Sequence, residues 1–338
     1  TTDNSTRPWS SAASDVYKRQ VVGSVFGVFQ EAAYQPSVTM LVPKEQFGRA
    51  SGLMQTGQAL RGIISPLLAG VLYVTIGLGG ILVIDFASYF FAIGALLLVR
   101  IPQPEPAAGD EAEARSIWED MAYGWRYLVK RTPLLVMLFY YALVNFLLAF
   151  TVVLLTPLVL SFSPASVLGV VHAAGSGGML AGSLLMSAWG GPSRKMNGVF
   201  AFIGLFSLGF FLIGLAESAV LIGLGMFVLL FSLPLAAGCS QVIWMSKVEP
   251  EVQGRVFAVR RMLADAISPV AYLVAGPLAD QVFGPMMAGG GPLAATVGPI
   301  IGVGAERGIG LMFVLAGALM LAVTAAAYAY PRLRYIED

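Results

Sequence analysis

Over 338 residues, hydrophobic types make up 57% and charged types only 12%, with a mean hydropathy of +0.78. That balance excludes an ordinary water-soluble domain. A formal net charge of +1 gives no ground for a nucleic-acid partner, and a single cysteine (Cys239) with a single histidine (His172) excludes an intrachain disulfide and leaves no His/Cys metal site or cofactor to expect.

The chain opens on a polar leader, residues 1–20, that lacks the basic and apolar regions of a signal peptide. Ser10 to Gln20 resembles a translated sequencing adapter; the alternative is a natural disordered terminus. Apolar, charge-poor runs then follow near 21–42, 50–77, 79–100, 133–160, 165–189, 198–216, 218–246, 256–283 and 307–330. Between Thr132 and Ser193 there are 62 residues without one Asp, Glu, Lys or Arg. A bilayer core of about 30 Å is crossed by about 20 apolar helical residues. This stretch therefore holds two spans joined by the turn at 161–166. Backbone groups in lipid must be satisfied internally, so the nine runs predict helices, and their apolar faces imply lipid as the surrounding partner. Glycines in the 165–189 run (Gly175, Gly177, Gly178 and Gly182) suit close contact between helices.

Residues 101–132 read as a linker. Pro102, Pro104 and Pro106 lead into an acidic stretch, 110–113. Trp118, Met121, Ala122, Trp125 and Leu128 then recur at helical spacing. That pattern predicts an amphipathic helix on the membrane interface. Residues 284–306 form a long Gly/Pro-rich connection.

Beyond the leader, 16 of 17 basic residues fall in alternate connections or in the helices leaving them. Arg307 alone lies on the other side. This asymmetry predicts that the basic side and the C-terminus are cytoplasmic. Glu45-x-x-Gly48-Arg49 recurs as Glu251-x-x-Gly254-Arg255, and at the same offset Ala69-Gly70 matches Ala275-Gly276. An internal repeat of this kind predicts two parallel six-helix halves. The partial first half is then 21–100, with three helices, and the second half is 133–338. About three spans are expected upstream, with an open flank where they would pack.

Gly52, Arg61, Ser65, Pro66, Ala69 and Gly70 resemble the helix-five antiporter signature of the major facilitator superfamily. The family pattern has Gly in place of Arg61, Ser65 and Ala69. Val252 to Phe257, leading to Ala275 to Asp280, resembles helix eleven, and Trp118 to Leu128 resembles the approach to helix seven. The resemblance is to the drug-efflux branch that includes macrolide and enterobactin exporters. It implies an all-α membrane protein with a major facilitator-type bundle, family helices four to twelve being present. The loop Gly190 to Lys195 keeps a basic pair but lacks the acidic residue of the family signature.

Ionisable groups inside spans are functional candidates. Glu31 and Arg61 lie at matched depths, roughly 16 and 18 Å from the basic side, on consecutive helices. They predict either a fixed salt bridge or a cavity-facing pair that handles protons or substrate. Asp85 is either a vestibule residue or a second titrating site. Asp265, four residues after Arg261, favours a local ion pair. His172 reads as a hydrogen-bonded packing residue, with a proton relay as the alternative. Ser65-Pro66 is expected to bend its helix.

Clustered catalytic groups are lacking, which disfavours an enzyme. The reading is a secondary transporter exporting small amphipathic substrates by proton antiport. A lipid or siderophore exporter of the same fold, or an inactive fragment, remains the alternative.

Overall fold

The structure of the chain, a computed structural model, describes residues 42–98, 117–215 and 217–337. The leader, the run near 21–42 with Glu31, and residues 101–116 of the linker lie outside these residues. Among the described residues there is no strand.

The first helix, α1 (Phe47–Leu98), has 52 residues. A straight helix of that length would reach about 78 Å, far more than a bilayer core of about 30 Å. It is interrupted at Gly77, where φ is 65° and ψ is −178°. Only glycine enters that region without steric cost. The break falls where the runs 50–77 and 79–100 were expected to part, so α1 consists of two arms, 47–76 and 78–98. The backbone stays helical through Ser65-Pro66. The second arm exposes Val83, Phe86, Tyr89, Phe90 and Phe91, an apolar surface that suits lipid.

Next come α2 (Ile117–Lys130), α3 (Thr132–Leu160), α4 (Ala165–Trp189), α5 (Lys195–Leu215) and α6 (Ala219–Lys247). Then follow α7 (Gln253–Ala266), α8 (Ser268–Pro277) and α9 (Arg307–Ala329). Among the described residues six helical stretches are long and apolar enough to cross a membrane: Thr132–Leu160, Ser166–Trp189, Lys195–Leu215, Ala219–Lys247, Pro250–Met287 and Arg307–Ala329. Their ends are set by local chemistry. Pro133 begins α3, where its missing N–H costs nothing. Gly190, at φ 78°, ends α4 and donates its N–H to the Met186 carbonyl at 2.7 Å. Ser218 caps α6 by accepting from the Leu221 N–H.

The run expected at 256–283 is less regular than a single α-helix. It turns at Ile267, between α7 and α8, and passes into a π-turn over Leu278–Phe283. Pro269 and Pro277 lie beside these points, and each removes a backbone donor and crowds the preceding turn. The connection 284–306 contains two short helices, Gly284–Met287 and Gly298–Ile301. Met287 and Ile301 pack with Leu311 into a small core of their own.

α6 is the hub. It packs along α4 and α5, while α9 lies on α5, α8 on α3, and α1 on α4. The contact between α4 and α6 depends on absent side chains. A Cβ built at Gly178 would overlap the Phe227 carbonyl, and one at Gly182 the Phe231 carbonyl. Four residues apart, the two glycines share a face and bring one backbone against the other. Gly177 of the same glycine set has nothing within 4 Å of its Cβ position.

The linker helix α2 is amphipathic and docks on α7. Leu128 is buried, and Gly124 abuts the Arg255 carbonyl and Val259. Trp118 and Trp125 point away from that contact, 76% and 41% exposed.

Candidate functional site

The antiporter-like segment lies on the first arm of α1, and its start forms a tight seam with the end of α4. Gly48, Gly52 and Thr56 recur every four residues, so they share one helix face. A Cβ at Gly48 would meet the Gly190 backbone, and one at Gly52 the backbone of Met186 and Ser187. Thr56 Oγ1 stands 3.0 Å from Ser187 Oγ. Each hydroxyl also lies 2.9 Å from the carbonyl four residues earlier, Gly52 for Thr56 and Ser183 for Ser187. The seam is thus nearly side-chain-free, with a single polar contact at its deeper end. Arg61, Ser65, Pro66, Ala69 and Gly70 continue the same helix, but their side-chain surroundings lie outside the described residues. The Glu31–Arg61 pairing lies outside them as well.

The other candidates do not converge. Asp85 is exposed on the second arm of α1, and its carbonyl accepts from Ser88 Oγ at 2.8 Å. Asp265 forms an exposed i, i+4 ion pair with Arg261 at 2.6 Å. His172 was expected as a hydrogen-bonded packing residue. It is instead exposed on α4, because α4 turns its glycine face, not this one, toward α6.

The two loops of the sequence repeat are built differently. Gly48 is packed on Gly190 and Arg49 is exposed beside it. Gly254 has nothing within 4 Å of its Cβ position, whereas Arg255 holds Asp120 of α2 at 3.0 Å and lies over the Tyr123 ring. A second link joins the end of the linker helix to the loop before α7. Arg131 grips Glu249 with Nη2 to Oε1 at 2.6 Å and Nη1 to Oε2 at 3.2 Å, and Nη1 also reaches the Lys247 carbonyl at 3.1 Å. Tyr127 accepts from Arg131 and donates to Glu249. The linker helix is therefore latched at two points, to α7 through Arg255 and to the loop before α7 through Glu249. None of this was visible in the sequence, because the partners stand more than a hundred residues apart.

The hydrogen bond from Arg131, reinforced by that from Tyr127, lowers the Glu249 carboxyl from an ordinary 4.5 to about 2. A depressed carboxyl stabilises the fold fully above its unfolded value and loses that contribution as pH falls through its folded one. Glu249→Gln is therefore expected to lower thermal stability slightly at pH 7 and at pH 5. The difference should close only as pH approaches 2. Both side chains are more than a third exposed, so the effect is no more than about 1 kcal/mol. Melting curves of both proteins across pH, followed by helical circular dichroism, check it. A gap already closed at pH 5 would contradict the depressed carboxyl.

Two further polar devices were missed. Glu337, near the C-terminus, accepts from the backbone N–H of Lys195 and of Met196, both at 2.9 Å. A carboxylate there satisfies two orphan donors at the start of α5 and suits the helix dipole. Lys195 Nζ donates to the carbonyls of Gly190 and Pro192, and Lys247 Nζ to that of Glu337. The loop that lacks its own acidic residue thus has one brought to it by the tail. At the opposite end, Arg307 is fully buried. Its Nη2 donates to the Gly214 carbonyl at 2.9 Å, and its Nε donates to the Ile301 carbonyl. Its isolation in the charge pattern was the signal that it is an internal staple rather than a solvated loop charge.

Close helix seams and long, apolar, charge-poor spans define an all-α membrane protein. The chain belongs to the Major Facilitator Superfamily, whose profile matches residues 20–272. Members of that superfamily are transporters rather than enzymes. Macrolide efflux protein A of Streptococcus pyogenes is 25% identical over 274 residues, which are 77% of this chain and 65% of the relative. Macrolide efflux protein A of Enterococcus faecalis is 26% identical over 262 residues, 74% of this chain and 78% of the relative. The chain spans 65% of the length of the streptococcal protein it matches.

Proposed function

We propose that this protein is a secondary transporter that exports small amphipathic molecules across the cell membrane by alternating access, with protons as the coupling ion. The observation that supports it most is the seam between α1 and α4. It joins helices from either side of the linker through backbone and two hydroxyls. A contact with so little interlocking side-chain volume can separate and re-form at low cost, as rocking halves require. The names of the relatives make macrolides the first cargo to test.

The basic side is read as cytoplasmic. Arg307, the exception to the charge pattern, is buried and so is not a counted loop charge. A cysteine at position 195, in a protein whose buried Cys239 is replaced by alanine, is expected to resist a membrane-impermeant thiol reagent in intact cells. It should react after permeabilisation. Labelling in intact cells would reverse the orientation.

Glu31 and Arg61 are read as the coupling pair. Burial raises a carboxyl pKa and a neighbouring guanidinium lowers it. Withdrawal of Arg61 would let Glu31 take a proton, and its return would expel it. In cells expressing the protein, Glu31→Gln is expected to reduce drug efflux severalfold and to flatten its dependence on pH. Undiminished efflux with the same pH profile would reduce the pair to packing.

A further inference from the structure

Arg260 lies on α7, about 10 Å along its span from the basic side. It is a cation at a depth where cations are costly. Its neighbours hold it rather than neutralise it. Nη1 donates to Gln241 Oε1 at 2.9 Å, and the guanidinium carbon sits 4.8 Å over the Trp244 ring and 5.9 Å from that of Phe257. Gln241, Trp244 and Phe257 are all buried, so the planar group is fixed by rigid surroundings. The adjacent Arg261 is paired with Asp265. Among the described residues, no carboxylate forms an ion pair with Arg260. Arg260 itself is only half-buried.

A guanidinium offers five N–H donors in a fixed fork, and one nitrogen here is already engaged. The free edge matches the two oxygens of a carboxylate or phosphate. The apolar spans around it suit a greasy tail. We propose that Arg260, oriented by Gln241 and Trp244, is a binding site for the oxyanion of an amphipathic molecule. An acidic cargo, as distinct from the amine-bearing macrolides, and a membrane phospholipid are its two possible sources. The inference rests on the export reading only where it names cargo, and the test measures binding without transport.

The protein is placed in phosphatidylcholine nanodiscs and titrated with dansylaminoundecanoic acid. Energy transfer from tryptophan reports binding. The methyl ester of the same probe is the control. Wild type is expected to bind the acid about tenfold more tightly than the ester, a bidentate charge-assisted contact contributing on that order. Arg260→Gln should lose the discrimination, and Arg260→Lys should keep part of it. Blending phosphatidylglycerol into the disc distinguishes the sources. Competitive loss of acid binding in wild type alone identifies lipid phosphate as an occupant, and no loss favours cargo. Equal binding of acid and ester by wild type would overturn the site without recourse to any variant. Retained discrimination in Arg260→Gln would overturn it too.

Discussion

Leucine in place of Gly182 should leave the protein unable to assemble its core. The α-carbon of Gly182 faces the Phe231 carbonyl so closely that even one methyl group would overlap it, and the Pro234 ring closes the other side at 2.9 Å from the Cβ position. The obstructing atoms belong mostly to backbone and a proline ring, which do not rotate away. α4 would have to withdraw from α6, and α6 is the hub on which α5 and α1 also pack. Overpacking costs about 1–3 kcal/mol even where side chains can adjust, so the loss here should lie at or beyond the upper end. Size-exclusion of the detergent-solubilised protein checks it, with aggregation or loss of the monodisperse peak expected. Gly177→Leu is the matched comparison, five residues away on the open face with nothing within 4 Å. It should behave like wild type. If both variants behave alike, the glycine seam does not hold these helices together.

The spans were legible in the sequence because lipid imposes a simple rule. Runs expected at 133–160, 165–189 and 307–330 meet helices at Thr132–Leu160, Ala165–Trp189 and Arg307–Ala329. Length and lack of charge suffice there, and the flanking Pro, Gly and charged residues mark the ends. The rule fails to place breaks inside an apolar run. The turn between α7 and α8 and the π-turn at Leu278–Phe283 depend on proline positions whose effect neighbours can absorb or amplify. It also says nothing about which face of a span is buried, since these helices are apolar all round. Gly177 and Gly178 are adjacent and equivalent by composition, yet only one touches α6.

The candidate site was legible only where residues act locally. Asp265 and Arg261 are four apart on a helix, and their pairing follows from that spacing. Gly52 was singled out within a motif, and it does lie at a helix contact. Arg131 with Glu249, Arg255 with Asp120 and Glu337 with the start of α5 have no local signature. They depend on where the linker helix and the tail fold back. A charged residue in a connecting loop reads as solvated until its partner is known.

Locking the seam between α1 and α4 is expected to stop transport. Thr56 and Ser187 are the positions to use, since their oxygens are 3.0 Å apart and their side chains face one another. Cysteines at both sites, in a protein with Cys239→Ala, should form a disulfide on mild oxidation. The test is efflux of the proposed macrolide cargo from cells expressing the protein, measured before oxidation, after it, and after reduction. Efflux lost on oxidation and recovered on reduction is what alternating access through this seam predicts. Efflux that continues at its full rate while the cross-link is complete would contradict it.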